Sequence, residues 1–303
     1  MTTRDRLLAV TVAVAWGLNF IAIDRALTHF PPFLLVAVRF AVMAVPTMLL
    51  VPWPRVRWTW WLLYGVGFGV LQFAFLFGAM AHGMPAGLAS LVLQSSAPFT
   101  VLLGALFLRE SLSRRQVVGI TVAVVGLAVV GLHRAQAAAW IPFALTLCGG
   151  LGWALGNVAS RQARPEQPMH LMLWMTVVPP LPMLAMSWAF EGGDAITSSL
   201  STMFTADAVP ALLGLAYIVL VGTVLGSGLW TGLLSRHPSS VVAPFSMLVP
   251  VVGMTAAAVL LHERVDPVEV AGAALVVAGV GWASTTARRR AVARTGLEEP
   301  ARA

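Results

Sequence analysis

The side chains in this sequence that could do chemistry are a few amides inside long apolar stretches. Asn19, Gln72, Gln94 and Asn157 each lie within such a stretch. Pro98 follows Gln94 by four residues, so it removes the backbone N–H that would bond the carbonyl of Gln94. A freed carbonyl beside an amide side chain can bind a polar ligand. The same amides could instead only join neighbouring helices through hydrogen bonds.

Aromatic residues accompany these amides at helical spacing. Tyr64 and Phe68 precede Gln72 by eight and four positions, which places the three on one helix face. Trp16 and Trp153 each lie within about a turn of an asparagine, deep in an apolar stretch rather than at the headgroup level where tryptophan clusters. An aromatic cavity wall would suit an apolar or aromatic ligand, and plain packing would explain the same pattern.

Arg39 is a charged residue inside an apolar stretch, about two turns or roughly 10 Å from its end. A charge at the middle of a bilayer costs about 2.5–3.5 kcal/mol on insertion scales, so such a residue is a candidate for function. Arg39 could also extend outward to water or pair with Asp24. The sequence therefore leaves two roles open for Arg39, a structural one and one as a gate or a contact to a substrate carboxylate.

The amides and prolines fall in two similar stretches, from Pro85 to Gln116 and from Pro238 to Glu269. Three pairs keep a spacing of 153 residues: Pro85 and Pro238, Glu110 and Glu263, and Gly119 and Gly272. The candidate helix breaks are Pro98, Pro244 and Pro250, and Ser246 is in the counterpart of the Gln94 region. A broken apolar helix at corresponding places of two halves points to the central site of a transporter.

The elements that must position these residues are membrane spans. Of the 303 residues, 58% are hydrophobic and 10% are charged, against about 45–50% and about 25% in soluble domains. Since a span needs about 20 apolar residues, ten candidates are predicted. They are 6–27, 32–51, 59–81, 85–108, 114–132, 139–160, 169–190, 208–231, 239–261 and 267–286.

The fold class predicted is therefore an all-α polytopic membrane protein with two inverted five-helix repeats. Five spans per half is an odd number, so the halves have opposite orientations. The predicted divisions are 1–135 and 136–287 for the repeats and 288–303 for a disordered cytoplasmic tail. Arginines concentrate in alternate loops, which predicts that both termini are cytoplasmic.

Composition and motifs exclude several classes of function. The net charge of +7 comes from arginines in short loops between spans, so it does not indicate nucleic acid. The acidic residues and histidines lie at span ends, in loops or in tails, which argues against a proton relay, a hydrolase triad or a metal site. We expect no enzyme activity, no catalytic residue, no metal and no cofactor. Cys148 is the one cysteine, and we expect it to be a small buried residue.

Several motifs together resemble the drug/metabolite transporter superfamily, EamA family. They are Trp16-Gly17-Leu18-Asn19-Phe20, Val38-Arg39-Phe40, Leu108-Arg109-Glu110 and Leu261-His262-Glu263. The aromatic pattern is similar to the YddG-type amino acid exporters of bacterial inner membranes. The resemblance implies a basket of helices around a central cavity, with spans three, four, eight and nine moving. The sequence lacks the span-one glutamate of small multidrug relatives and the central basic residues of nucleotide-sugar or triose-phosphate exchangers.

The sequence thus predicts an inner-membrane exporter of aromatic and other neutral or apolar amino acids, with broad specificity. Asn19, Gln72, Gln94 and Asn157 would hold the polar end of the substrate. The other predicted contacts are Trp16, Trp153, Tyr64, Phe68 and Ser246. We expect alternating access, facilitative transport, a monomer, and no partners other than the substrate and the bilayer. The alternatives are a multidrug or other metabolite exporter of the same fold, and a non-transporting scaffold or lipid-handling protein.

Overall fold

The computed structural model describes residues 1–109, 112–136, 140–237 and 242–295, with backbone alone at 134–136, 234–235, 243–244 and 284–295. Over these residues the secondary structure is helical, without strands, and each predicted span corresponds to a helix. The first five are α1 (Thr3–Leu27), α2 (Pro32–Leu50), α3 (Trp58–Ala81), α4 (Ala86–Leu108) and α5 (Arg114–Gln136). The others are α6 (Trp140–Ala163), α7 (Pro168–Met175 and, after a turn, Pro180–Met186 continued by Ser187–Glu191), α8 (206–236), α9 (Ala243–Met247 continued by Leu248–Leu260) and α10 (Pro267–Thr295).

The surface of the bundle matches a lipid environment. Among the described residues, eight helices are long and apolar enough to cross a membrane, and shorter apolar helices cover Phe245–Leu260 and Pro267–Ala283. Large apolar side chains such as Leu49, Leu106 and Phe190 are at least 71% exposed. Water would penalise such a surface and hydrocarbon would not. The chain is a multi-pass membrane protein.

Contacts between helix ends show that α1 and α8 run in opposite directions. At the face where α1 begins, the amino-terminal face, Asp5 is 2.9 Å from His237 at the end of α8. At the opposite face, the His29 ring lies 2.9 Å from the Ser199 carbonyl, in the short helix Gly193–Ser201 between α7 and α8. The polar connection between α7 and α8 therefore contains a helix, Gly193–Ser201.

The two halves pack by exchanging partners. Helix α1 packs mainly against α8 and α9 of the second half, and α6 packs mainly against α3 and α4 of the first half. Helices α2 and α7, α4 and α9, and α5 and α10 pair as counterparts. Such reciprocal contacts are what a two-fold relation between two similar units produces.

Glycines in α5 and α10 give this relation at the level of single residues. At the repeat spacing of 153, Gly119 corresponds to Gly272 and Gly126 to Gly279. A Cβ at Gly119 would lie 2.5 Å from the Gly279 carbonyl oxygen, and one at Gly126 would lie 2.7 Å from the Gly272 carbonyl oxygen. Gly119 thus contacts the counterpart of Gly126, and Gly126 contacts the counterpart of Gly119. This reciprocal, antiparallel contact relates the halves as inverted repeats, as the sequence predicts.

Matching distortions occur in corresponding helices. Wide π-helical turns occupy Gly65–Leu71 in α3 and Tyr217–Leu225 in α8. Tight 3₁₀ turns occupy Leu93–Ser95 in α4 and Ala243–Met247 in α9. Such local departures from α geometry are frequent at functional sites.

The prolines explain where the tight turns lie. Pro98 and Pro250 are each the third residue of the α-helical segment that follows a tight turn. A proline lacks the N–H for the carbonyl four residues earlier, and its ring clashes with that carbonyl. The distortion is therefore on the amino-terminal side of each proline. Pro244 lies in the second tight turn, and its side chain is outside the described residues.

Two expectations from the sequence need correction. Cys148 is exposed on the bundle surface, because apolar residues of a membrane protein face lipid as well as the core. Helix α10 continues to Thr295, so residues 288–295 of the predicted tail are helical, while 296–303 lie outside the described residues.

Candidate functional site

Trp16 and Asn19 of α1 contact the π-helical turn of α8. The Trp16 indole Nε1 donates to the Gly222 carbonyl at 2.9 Å, and its ring packs on Trp230 with centroids 5.2 Å apart. Asn19 Oδ1 lies against Gly222, where a Cβ would collide with it. This oxygen is buried and has no hydrogen-bond partner among the described residues. An unpaired buried acceptor costs stability unless a ligand supplies a donor.

Arg39 is buried in the same region, with 4% of its surface exposed. Its Nη2 donates to Thr223 Oγ1 at 2.8 Å, and that hydroxyl donates to the Ile218 carbonyl at 2.8 Å. The guanidinium carbon lies 4.1 Å from the Phe73 ring centroid and 5.0 Å from that of Phe40. Its Nε and Nη1 have no partner among the described residues. The sequence leaves open an ion pair with Asp24, and no such pair forms.

Tyr64, Phe68 and Trp153 form an aromatic cluster with Phe73. Phe68 packs against Tyr64 at 5.7 Å and against Trp153 at 5.9 Å between centroids. It also packs against Phe73 at 5.9 Å. Since Arg39 stacks on Phe73, the cluster is continuous with the region around Thr223.

The expected face of Tyr64, Phe68 and Gln72 changes because of the π-helical turn in α3. In such a turn the residue five positions on, rather than four, comes next along the face. Phe73 therefore follows Phe68 in the cluster, and Gln72 points elsewhere. The sequence shows a periodicity of 3.6 residues in this stretch and gives no signal for the extra residue.

Gln72 and Ser95 lie against the glycine-rich face of α6. A Cβ at Gly152 would lie 2.7 Å from the Gln72 backbone nitrogen, and one at Gly150 would collide with Ser95 Oγ. Gln72 is 3% exposed, and its Oε1 has no hydrogen-bond partner among the described residues. Ser95 Oγ is likewise buried and unpaired. Gln72 Oε1 and Ser95 Oγ are therefore both buried without a hydrogen-bond partner among the described residues.

Gln94 joins the two broken helices. Its Nε2 donates to the Ser246 carbonyl at 3.2 Å. Ser246 is four residues before Pro250, so this is the carbonyl that Pro250 leaves without its usual donor. The Gln94 amide of the first repeat thus bonds the carbonyl that Pro250 frees in the second, which is the helix-joining role that the sequence leaves open for the buried amides.

Asn157 of α6 is bonded to α4, the helix that carries Gln94 and Ser95. Its Nδ2 donates to Thr100 Oγ1 at 3.2 Å, and the Thr100 hydroxyl donates to the Ser96 carbonyl at 2.6 Å. These bonds connect α6 to α4 just after the tight turn. Asn157 therefore has an interhelical partner in this structure.

Two carboxylates cap helices at the opposite face. Glu263 accepts from the Ala86 and Gly87 N–H groups at 2.7 and 3.1 Å, at the start of α4. Glu191 accepts from the Phe33 and Leu34 N–H groups at 2.6 and 3.1 Å, at the start of α2. A carboxylate at a helix N-terminus accepts hydrogen bonds from the free N–H groups, and its negative charge interacts favourably with the positive end of the helix dipole. The two bonds of Glu263 therefore join the end of α9 in the second repeat to the start of α4 in the first.

A left-handed residue positions Glu263. His262 has φ of 56°, and its counterpart Arg109 has φ of 52°. The left-handed conformation is uncommon for residues other than glycine, and where it occurs it is often found at the end of a helix. The Leu-Arg-Glu and Leu-His-Glu motifs therefore mark the same turn in both repeats, while Glu110 lies outside the described residues.

The two faces differ in the recesses that lie beside α4. At the opposite face, a cavity of about 10 Å³ lies between α4 and the Glu263 loop. At the amino-terminal face, the ends of α4 and α6 line a groove that is open to the surface. Its lining residues are Phe107, Leu108, Arg161, Gln162 and Arg164.

Comparison with known proteins agrees with this architecture. A protein of Salmonella typhimurium described as a "Probable amino-acid metabolite efflux pump" is 43% identical over 92% of this chain and 94% of its own length. An Escherichia coli protein with the same description is 39% identical over the same shares. A "Probable terminal-alkyne amino-acid exporter" of Streptantibioticus cattleyicolor is 30% identical over 70% of this chain and 69% of its own length.

A solved crystal structure shares the fold, with a TM-score of 0.57 and 21% identity over 96% of this chain and 99% of the other. The model of the EamA-like transporter family matches twice, at residues 6–132 and 140–285, which are the two halves described above. The chain therefore belongs to the EamA-like transporter family.

Proposed function

We propose that this chain exports amino acids, with aromatic and other neutral or apolar side chains among its substrates. The relatives described as amino-acid metabolite efflux pumps, which align over almost the whole chain, support the substrate class. The helix breaks, the aromatic cluster and the unpaired polar atoms support a site between the repeats. The unit is a monomer in a bacterial inner membrane, with repeats at 1–135 and 136–287.

The observation that carries the proposal is a set of buried polar atoms without hydrogen-bond partners among the described residues. They are Asn19 Oδ1, Gln72 Oε1, Ser95 Oγ and the Nε and Nη1 atoms of Arg39. Stable membrane cores satisfy their polar groups internally, because lipid offers no hydrogen bonds. A zwitterionic ligand supplies the missing donors through its ammonium group. Trp16, Trp153, Tyr64 and Phe68 then offer apolar and aromatic surface to its side chain, while Gln94, Asn157 and Ser246 adjust as the broken helices move.

The inverted repeats support alternating access. If the halves exchange conformations, the faces exchange open and closed states. The capped helix starts and the small cavity at the opposite face support a closed outer side. The arginine distribution supports cytoplasmic termini. Pro98, Pro244, Pro250 and Arg39 belong to the moving parts.

Counterflow in proteoliposomes tests the substrate class. Vesicles loaded with unlabelled phenylalanine, leucine, glutamate or a cationic dye are diluted into labelled phenylalanine. We expect phenylalanine and leucine inside to drive uptake of label, and glutamate and the dye not to. Uptake driven by the dye alone would favour the alternative of a multidrug exporter. No uptake with any compound, from protein that is folded by its melting curve, would favour a non-transporting scaffold.

Energy coupling is tested in the same vesicles. The acidic residues in the described spans, such as Asp5, Asp24 and Glu191, lie toward span ends rather than mid-span, which supports facilitative transport. We expect initial rates to be equal with and without an imposed pH gradient. Uptake that disappears when the gradient is collapsed would contradict this part of the proposal.

A further inference from the structure

Arg39 is a buried cation without an anionic partner among the described residues. None of their carboxylates lies within 4.0 Å of its guanidinium, and the ion pairs His133–Asp266, Arg236–Asp5 and His237–Asp5 lie at helix ends away from it. Its position in α2 is about 10 Å from the helix start, well inside the span. A charge at this depth in a membrane is energetically costly, so such a residue is a candidate for function.

The surroundings of Arg39 satisfy the faces of its guanidinium and leave an edge free. The Phe73 and Phe40 rings cover the flat side through cation–π contact, which compensates part of the charge. Thr223 takes one hydrogen of Nη2. One N–H bond of Nη2 is parallel to the N–H bond of Nε, and the other is parallel to an N–H bond of Nη1. Thr223 accepts from one of these two, so the remaining edge of the guanidinium keeps a pair of parallel N–H groups.

A free edge of this kind matches one ligand chemistry. Two parallel N–H groups are the arrangement that binds a carboxylate with two hydrogen bonds. Stacking and the Thr223 bond fix the plane of the guanidinium, so little rotamer freedom is lost when an anion binds. Thr223 is itself held by the Ile218 carbonyl of the π-helical turn, which ties the orientation of Arg39 to a distorted segment of α8.

We propose that Arg39 binds the carboxylate of the transported amino acid, with Thr223 as its positioning residue. This inference rests on the proposed function and adds a requirement to it, since the substrate must carry a free carboxylate. Asn19 Oδ1, which is unpaired and contacts the residue before Thr223, is the acceptor for the ammonium group. Amino acid amides and the corresponding amines are therefore poor substrates.

The test compares L-phenylalanine with L-phenylalaninamide and phenethylamine in wild-type proteoliposomes and in Arg39→Met and Arg39→Lys variants. We expect wild type to transport the acid at least about tenfold faster than the amide, the size of one lost charge-assisted hydrogen bond. Arg39→Met lowers phenylalanine transport by a similar factor and brings the acid-to-amide ratio close to one. Arg39→Lys, which keeps the charge but not the fork, restores part of the preference for the acid.

Controls separate a ligand contact from a structural role. Arg25→Met removes an exposed arginine and leaves rates and preference unchanged. Without any substitution, phenylalanine raises the melting temperature of the wild type and its amide does not. Two results would overturn this inference without affecting the proposed function. One is an Arg39→Met variant that transports phenylalanine at the wild-type rate, and the other is equal stabilisation of the wild type by the acid and the amide. Wild-type vesicles that move no amino acid would overturn the proposed function as well.

Discussion

At the scale of single residues, the buried polar groups of this protein differ in whether they already have a partner. Thr146 Oγ1 and Ser90 Oγ donate to carbonyls of their own helices at 2.9 and 2.6 Å, as hydroxyls inside membranes commonly do. Gln72 Oε1, Asn19 Oδ1 and the free nitrogens of Arg39 do not. A bonded group stabilises the fold, while an unbonded one lowers its stability. Substitution therefore distinguishes the two classes.

Gln72→Met provides such a test. If Gln72 serves the ligand, its loss lowers phenylalanine transport at least about tenfold and leaves the melting temperature unchanged or higher, because an unpaired buried acceptor costs about 1–3 kcal/mol. Counterflow and thermal unfolding of the purified protein measure the two effects. Gln116→Met, which removes an amide bonded to Ser113 at a helix start, should leave transport intact. A lower melting temperature with normal transport would show that Gln72 joins helices.

At the scale of helices, the breaks in α4 and α9 are coupled because Gln94 of one bonds the carbonyl that Pro250 frees in the other. The sequence reveals the two prolines and the amide, but not that they meet, since that depends on how the halves cross. It also gives no sign of the π-helical turns, which need one extra residue without any special composition. For this reason Phe73 and Thr223 were missed, although Thr223 is a buried hydroxyl in an apolar span.

Gln94→Leu should weaken the contact between the broken helices. The Ser246 carbonyl loses its side-chain donor, and interhelical hydrogen bonds in membranes contribute about 0.6 kcal/mol, at most about 1.7 kcal/mol. We expect a small fall in melting temperature and a larger fall in transport rate, because the break is part of the moving region. From the sequence alone, loss of Gln94 would be expected to leave the melting temperature intact, and the bond to Ser246 changes that expectation.

Glu263→Gln should loosen the start of α4. A neutral amide cannot accept from both Ala86 and Gly87 as a carboxylate does, and loss of a helix cap costs about 0.5–2 kcal/mol. Hydrogen exchange of these amides should become faster, while exchange at the α2 start under Glu191 stays as in the wild type. Unchanged exchange at Ala86 and Gly87 would mean that the Glu263 contacts do not hold this helix end.

At the scale of the whole molecule, the ten helices, their order and the inverted halves follow from the sequence, because apolar length and the 153-residue spacing are direct consequences of the membrane and the repeat. Which faces meet does not follow. Cys148 shows why: in a bundle surrounded by lipid, apolar character does not separate inside from outside. Small residues are better guides, since the close contact of α5 and α10 depends on Gly119, Gly126, Gly272 and Gly279.

Gly279→Ala and Gly281→Ala make a matched pair on α10. A Cβ at Gly279 would lie 2.5 Å from the Ala123 nitrogen and from the Gly119 oxygen, whereas one at Gly281 meets nothing within 4 Å. Overpacking of this kind costs about 1–3 kcal/mol. Thermal unfolding should show a lower melting temperature for Gly279→Ala and an equal or higher one for Gly281→Ala. Equal effects of the two would argue against the close α5–α10 contact.

The exchange of partners between halves has a consequence for how the protein is made. Helix α1 leaves the ribosome first, yet its main neighbours, α8 and α9, are synthesised after more than half of the chain is already inserted. The early helices must therefore wait in the bilayer with their small-residue faces against lipid or temporary neighbours. Assembly of the final bundle is a late event, and a nascent chain halted after α6 would hold inserted helices that have not yet found their permanent places.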